Sequence, residues 1–117
     1  MTARRQVSLD CFRRRVAFWI ERLRVQPARV AVMDMTRKWA SCSASGRVTF
    51  ATAAASLPAR LRDYVIVHEL LHLRVRNHGR LFKAHLTACM PDWPQRHRRL
   101  PDRDRRGCPQ RCSPPRA

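Results

Sequence analysis

Apolar side chains near the start of the chain repeat at helical spacing. They recur at offsets of three, four and seven, at Leu9, Phe12, Val16, Trp19, Ile20 and Leu23. This spacing places them along one face of a helix and leaves the intervening arginines off that face. Pro27 cannot continue the helix. The pattern predicts an N-terminal helix from Leu9 to just before Pro27, preceded by a flexible start at residues 1–8.

Three short runs rich in β-branched and apolar side chains follow the helix. They cover residues 30–35, 39–42 and 47–52, and a stretch with turn composition, residues 43–46, separates the last two. We interpret the runs as a small three-stranded antiparallel sheet. A sheet of this size must pack on helices to be stable, so the pattern predicts an α+β fold.

The second helical stretch is apolar on nearly every side. Pro58 suits the first turn of a helix, and residues 59–75 are predicted to form it. Its middle, residues 64–73, has apolar residues almost all round, which is typical of a helix buried on most sides. This helix is therefore expected to lie at the centre of the domain.

The remaining pattern predicts two further helices and a tail. Helical spacing resumes after His78 and ends at Pro91, and residues 94–100 are predicted to form a short last helix. From residue 101 onward Pro, Arg and Asp replace the apolar residues, which is typical of disorder. The prediction is one domain at residues 9–100 and a disordered Pro/Arg-rich tail at 101–117.

The clearest chemical signal is His68-Glu69-Leu70-Leu71-His72, an HExxH pattern inside the apolar helix. Residues four apart share a helix face, so both imidazoles can reach one metal ion. Glu69 lies one step round the helix, where it can take a proton from a metal-activated water. Placing a glutamate and two histidines in an apolar helix costs free energy unless they serve a site.

Zinc needs a third protein ligand, for which His78 is the best candidate. A continuous helix would place His78 about 120° from His72, so the helix must end between them. Residues 74–79 permit this, because they are largely polar and include types found at helix ends. His85 and His97 are the alternatives. The prediction is one zinc per chain, held by three histidines: His68, His72 and His78.

The formal charge is +17, nearly all of it from arginine. Such a charge favours contact with polyanions, including nucleic acid. The arginines are scattered, however, and no aromatic RNA-binding pattern or paired-Cys/paired-His finger occurs. We expect non-specific polyanion contact. The sequence does not indicate an oligomeric state.

No apolar run approaches the length of about 20 residues that spans a bilayer, and no secretory signal is visible. A cytoplasmic location is the expectation. The five cysteines are an odd number at irregular spacing and make a poor disulfide framework. Cys108 and Cys112 have the spacing of a zinc-ligand pair without a second pair, so free thiols are the simpler interpretation.

Three segments resemble the YgjP-like, metal-dependent hydrolase-like family of bacterial proteins, relatives of the SprT and WLM zincin-type domains. TRKWASCS at residues 36–43 resembles the family's TRWGSCS, and DYVIVHELLHL at residues 63–73 resembles its DYVVVHELAHL. Residues 77–92 contain Asn-His, Phe and Met-Pro-Asp in matching order. The resemblance implies a minimal zincin-like fold, the three histidines as metal ligands, and Glu69 as catalytic acid/base. It also places residues 39–42 on a strand beside the metal helix.

A substrate groove is expected beside that strand. Its candidate residues are Arg37, Trp39, Ser41, Cys42 and Tyr64. Arg37 and Tyr64 are candidate oxyanion stabilisers, while ordinary sheet packing is the alternative for residues 39–42.

Three functions fit these features. The first is a zinc peptidase whose substrate lies along an exposed sheet edge. The second is a metal-dependent nucleoside-triphosphate (UTP) pyrophosphatase, an activity associated with a YgjP-type protein. The third is a non-enzymatic zinc-containing nucleic-acid-binding module, for which a fourth protein ligand is expected.

Overall fold

The computed structural model describes residues 2–101, with side chains from residue 9 onward. It confirms the α+β class. The elements follow in the order α1 (Thr2–Leu23), β1 (Arg29–Met33), β2 (Ala40–Cys42), β3 (Arg47–Ala51), a 3-10 helix (Thr52–Ser56), α2 (Ala59–Leu71), α3 (Arg80–Cys89) and α4 (Trp93–Arg99).

Two helix boundaries differ from the sequence prediction. Helix α1 begins at Thr2 rather than near Leu9, and α2 ends at Leu71 rather than at residue 75. The predicted disordered tail, apart from Pro101, lies outside the described residues, as do Cys108 and Cys112.

The sheet contains three strands in the order β1-β3-β2. Strands β2 and β3 are antiparallel, but β1 pairs with β3 in parallel, so the prediction of an all-antiparallel sheet was wrong for β1. The tight turn between β2 and β3 forces them to run in opposite directions. The chain that links β1 to β2 instead passes over one strand position in the sheet. Strand β3 occupies that position and runs in the same direction as β1.

Gly46 makes the tight turn possible. Its φ of 91° lies in the left-handed region that favours glycine. Its carbonyl accepts a 2.8 Å hydrogen bond from the backbone N–H of Ala28, and a Cβ at this position would lie 3.4 Å from the Ala28 backbone nitrogen. The turn therefore docks directly against the chain entering β1.

Helix α2 occupies the centre of the core, as its apolar pattern predicts. Ile66, Val67 and Leu70 are fully buried. Helix α1 packs on one side of α2 through the predicted apolar stripe, and its Phe12 meets Phe50 of β3 edge-on at 5.3 Å between ring centroids. The helix that carries the HExxH pattern is therefore held by packing on several sides.

No helix in the described range 2–101 is long and apolar enough to cross a membrane.

A partly buried ion pair joins α1 to α2. Arg15 donates from Nε and Nη2 to the Asp63 carboxylate at 3.0 and 2.8 Å, and Asp63 is 8% exposed. We expect Asp63→Asn to lower the free energy of unfolding by about 1–3 kcal/mol, because it weakens a charged pair whose carboxylate is buried. Urea unfolding measures this. Asp92→Asn is the matched control: its partners are exposed Arg60 and half-buried Arg96, and a loss below about 1 kcal/mol is expected. Equal losses in both variants would contradict the prediction.

Candidate metal centre

The three histidines predicted as ligands lie together. Their candidate ligand nitrogens are all within 4.8 Å of one another. His68 lies in the last turn of α2, His72 caps its end, and His78 comes from the loop that leads to α3. The helix ends at Leu71, with His72 as its C-cap, and so does not continue to His78, as the spacing requires.

Local hydrogen bonds shape the loop that returns His78 to the site. The backbone N–H of Val75 still bonds to the carbonyl of Leu71 at 2.9 Å, which closes the last turn. Further on, Asn77 Oδ1 accepts the N–H of Gly79 at 3.0 Å, a turn that asparagine favours. Helix α3 begins immediately afterwards, at Arg80.

The hydrogen bonds of His72 determine which of its nitrogens faces the site. Nδ1 lies 3.1 Å from the Val75 carbonyl. A carbonyl can only accept, so Nδ1 carries the proton and Nε2 keeps its lone pair in the neutral ring. That Nε2 lies 2.9 Å from Nε2 of His78. A backbone carbonyl that orients the outer nitrogen is the arrangement typical of metal-binding histidines.

Burial favours the neutral, metal-binding form of these rings. It is the main cause that lowers the pKa of His72, and it lowers the pKa of His78 to about 4; the neighbouring histidines add to both shifts. Neutral imidazole is the form that binds a metal ion. The donor set therefore fits a divalent cation.

Glu69 is 3% exposed and lies against the histidines. Its Oε2 is 3.0 Å from Nδ1 of His68, and its Oε1 is buried with no hydrogen-bond partner among the described residues. Burial opposes ionisation, but the hydrogen bond from His68, together with the electrostatic influence of the three imidazoles, outweighs it and lowers the pKa of Glu69. The site thus contains a carboxylate with one oxygen available to a proton donor.

Phe82 of α3 forms the apolar wall of the centre. It is fully buried, and its ring centroid lies 5.3, 4.7 and 5.0 Å from those of His68, His72 and His78. It stacks on His72 with an interplanar angle of 17°. This packing restricts the three imidazoles, a role that the sequence pattern did not reveal, because an apolar residue at helical spacing has no distinguishing signal.

Tyr64 and His97 form a pair beside the triad. The Tyr64 ring lies 5.7 Å from that of His68, and its hydroxyl is 2.8 Å from Nδ1 of His97. His97, considered as an alternative ligand, is therefore a partner of Tyr64. His85 is half-buried on α3, outside the group of three histidines.

Strand β2 brings Cys42 to the site. Burial is the main cause that raises the pKa of the Cys42 thiol, and the negative charge of Glu69 raises it further. Ala40 and Cys42 share one face of the strand, whereas Ser41 points to the opposite face. Of the two groove candidates on β2, Cys42 is thus the one whose side chain is on the same side of the strand as Glu69.

The other groove candidates have different surroundings. Trp39 Nε1 donates to the Pro101 carbonyl at 2.8 Å, which ties the segment before β2 to the end of the described chain. Arg37 is exposed in the loop that precedes β2.

The sequence matches a family model described as YgjP-like, metallopeptidase domain, over residues 2–103. Among solved structures, it is similar to the crystal structure of the metallopeptidase zymogen of Methanocaldococcus jannaschii jannalysin. The identity is 23%, the coverage 66% of this chain and 79% of that chain, and the TM-score 0.60. A likeness at this identity shows the fold. No curated protein matches the sequence significantly.

Proposed function

The chain belongs to the YgjP-like family of metallopeptidase domains, and from this premise we propose that it is a zinc-dependent peptidase. The observation that carries the proposal is the convergence of three histidines beside a buried carboxylate. Among the described residues, this group holds His68, His72 and His78 without a fourth metal-ligand side chain. Three protein ligands are typical of catalytic zinc sites, whereas structural sites have four.

The family implies a divalent metal, and neutral imidazoles suit zinc. His68, His72 and His78 would hold the ion. Zinc would supply Lewis acidity, which polarises a carbonyl and makes water a stronger acid. The remaining chemistry belongs to the protein's own side chains.

Glu69 is the proposed general base. Its Oε1, buried and without a hydrogen-bond partner among the described residues, would accept a proton from the attacking water. The same oxygen would then donate the proton to the leaving amine. Oε2 remains tied to His68, which fixes the orientation of the carboxylate during both transfers.

The free edge of β2 is the proposed peptide-binding site. The carbonyl of Trp39 accepts from Ala51 on β3, and the N–H of Ser43 donates to Arg47. By alternation, the backbone groups of Ala40 and Cys42 point away from β3. An extended peptide can pair with them as an added strand. Because Cys42 lies near Glu69, this peptide would pass the proposed base.

The test is metal-dependent cleavage by the full chain. We expect about one zinc per chain and cleavage of an unstructured protein substrate such as casein, lost on treatment with a chelator and restored by zinc. Mass spectrometry of the products identifies the bonds cleaved. Pyrophosphate release from UTP is measured in parallel. A zinc-loaded protein that releases pyrophosphate but cleaves no peptide would contradict the peptidase proposal. We also propose a cytoplasmic location.

A further inference from the structure

Positively charged side chains approach the metal centre from three elements. Arg76 lies on the loop after α2, Lys83 on α3 and Arg98 on α4. Arg76 lies on the loop between His72 and His78, and Lys83 and Arg98 directly follow Phe82 and His97, which lie beside the three histidines. The rim of the centre therefore favours anionic groups.

Arg76 contacts the residue that directly follows β2. Its Nη1 donates to the Ser43 carbonyl at 3.0 Å, and the thiol of the adjacent Cys42 lies 3.7 Å from the same carbonyl oxygen. Cys42 in turn lies near Glu69. Arg76 is exposed, and a guanidinium has five N–H donors, so donors remain for a ligand.

Resting on the proposed peptidase function, we propose that Arg76 forms a subsite for an acidic side chain of the peptide. A strand bound along β2 presents alternate side chains on one face, and one of these would reach the guanidinium beside Cys42. The planar guanidinium pairs with a carboxylate through two parallel hydrogen bonds. The substrate class is thus peptides with Asp or Glu on the side of the scissile bond toward Ser43.

Arg76 also ties the β2–β3 turn to the loop after α2, so a control must separate this structural contact from recognition. Arg74 provides it. It is exposed in the same loop, and its Nη2 donates to the carbonyl of Arg24 at 3.0 Å. Its charge acts on Cys89 rather than on the histidines of the centre. Arg74→Ala therefore removes an equivalent contact and an equal charge.

The experiment measures peptide binding to zinc-loaded Glu69→Gln protein, in which cleavage does not interfere. Three fluorescent peptide pools share neutral random positions and differ in one fixed residue: Glu, Gln or Lys. We expect the Glu pool to bind about threefold to tenfold more tightly than the isosteric Gln pool. Adding Arg76→Ala should abolish the difference, adding Arg76→Glu should shift the preference to Lys, and adding Arg74→Ala should leave the preference for Glu intact.

Equal binding of all pools, no binding of any pool, or an equal effect of Arg74→Ala and Arg76→Ala would overturn the subsite. So would UTP binding that depends on Arg76 without a peptide preference, since the anion would then be a phosphate. Cleavage of the same pools by the unmutated protein separates the two proposals. Arg76-dependent binding without cleavage would contradict the peptidase proposal and support the subsite. Cleavage without a preference for Glu would support the peptidase proposal and contradict the subsite.

Discussion

Glu69→Gln is expected to lower kcat/KM for peptide cleavage by about a hundredfold to ten-thousandfold, the usual range for loss of a general acid–base group. Gln has the same shape but cannot accept a proton from water at Oε1. Because Glu69 lies outside the group of three nitrogen ligands, zinc content should stay at the level of the parent. Cleavage rates and metal analysis on the same preparations measure both quantities.

Glu21→Gln is the matched control, because Glu21 is exposed on α1. It should cleave peptide at the parental rate. If Glu69→Gln cleaved as fast as Glu21→Gln, Glu69 would not be the base. If Glu69→Gln lost its zinc, the carboxylate would contribute to metal binding rather than to proton transfer alone.

His78→Ala is expected to weaken zinc binding by at least about a hundredfold, since loss of a residue that merely orients a ligand already costs about 10–100-fold. His78 is half-buried in a loop, so the helices should form without it. Zinc affinity from competition with a chelator measures the loss. Circular dichroism checks the fold. In addition, zinc should raise the thermal midpoint of the parent, because only the folded chain assembles the site.

His85→Ala is the control for this substitution. His85 lies nearby on α3 but outside the group of three histidines. It should bind zinc as tightly as the parent. Parental affinity in His78→Ala would contradict the three-histidine site and would require another residue to complete the ligand set.

The sequence by itself determined the local elements and the core of the chemistry. An HExxH pattern needs only helical spacing to bring His68 and His72 to one face, and the apolar residues around it predict burial of α2 at the centre. The need for a helix end before His78 also follows from spacing alone. The sequence also predicted strands close to β1, β2 and β3, because β-branched residues favour strands, and turn residues favour turns, over only a few positions.

The tertiary structure decided what depends on contacts between distant segments. Hydrophobic runs do not specify which strands become neighbours, so the parallel pairing of β1 with β3 was missed. The Val75 carbonyl that orients His72 is a backbone group, and the sequence carries no signal for it. Phe82 is one of several apolar residues at helical spacing, and Arg76 is one of many scattered arginines, so neither has a distinguishing signal in the sequence. Their roles arise only when α3 and the loop after α2 fold back on the HExxH helix, because packing, and not local spacing, sets which side chains meet there.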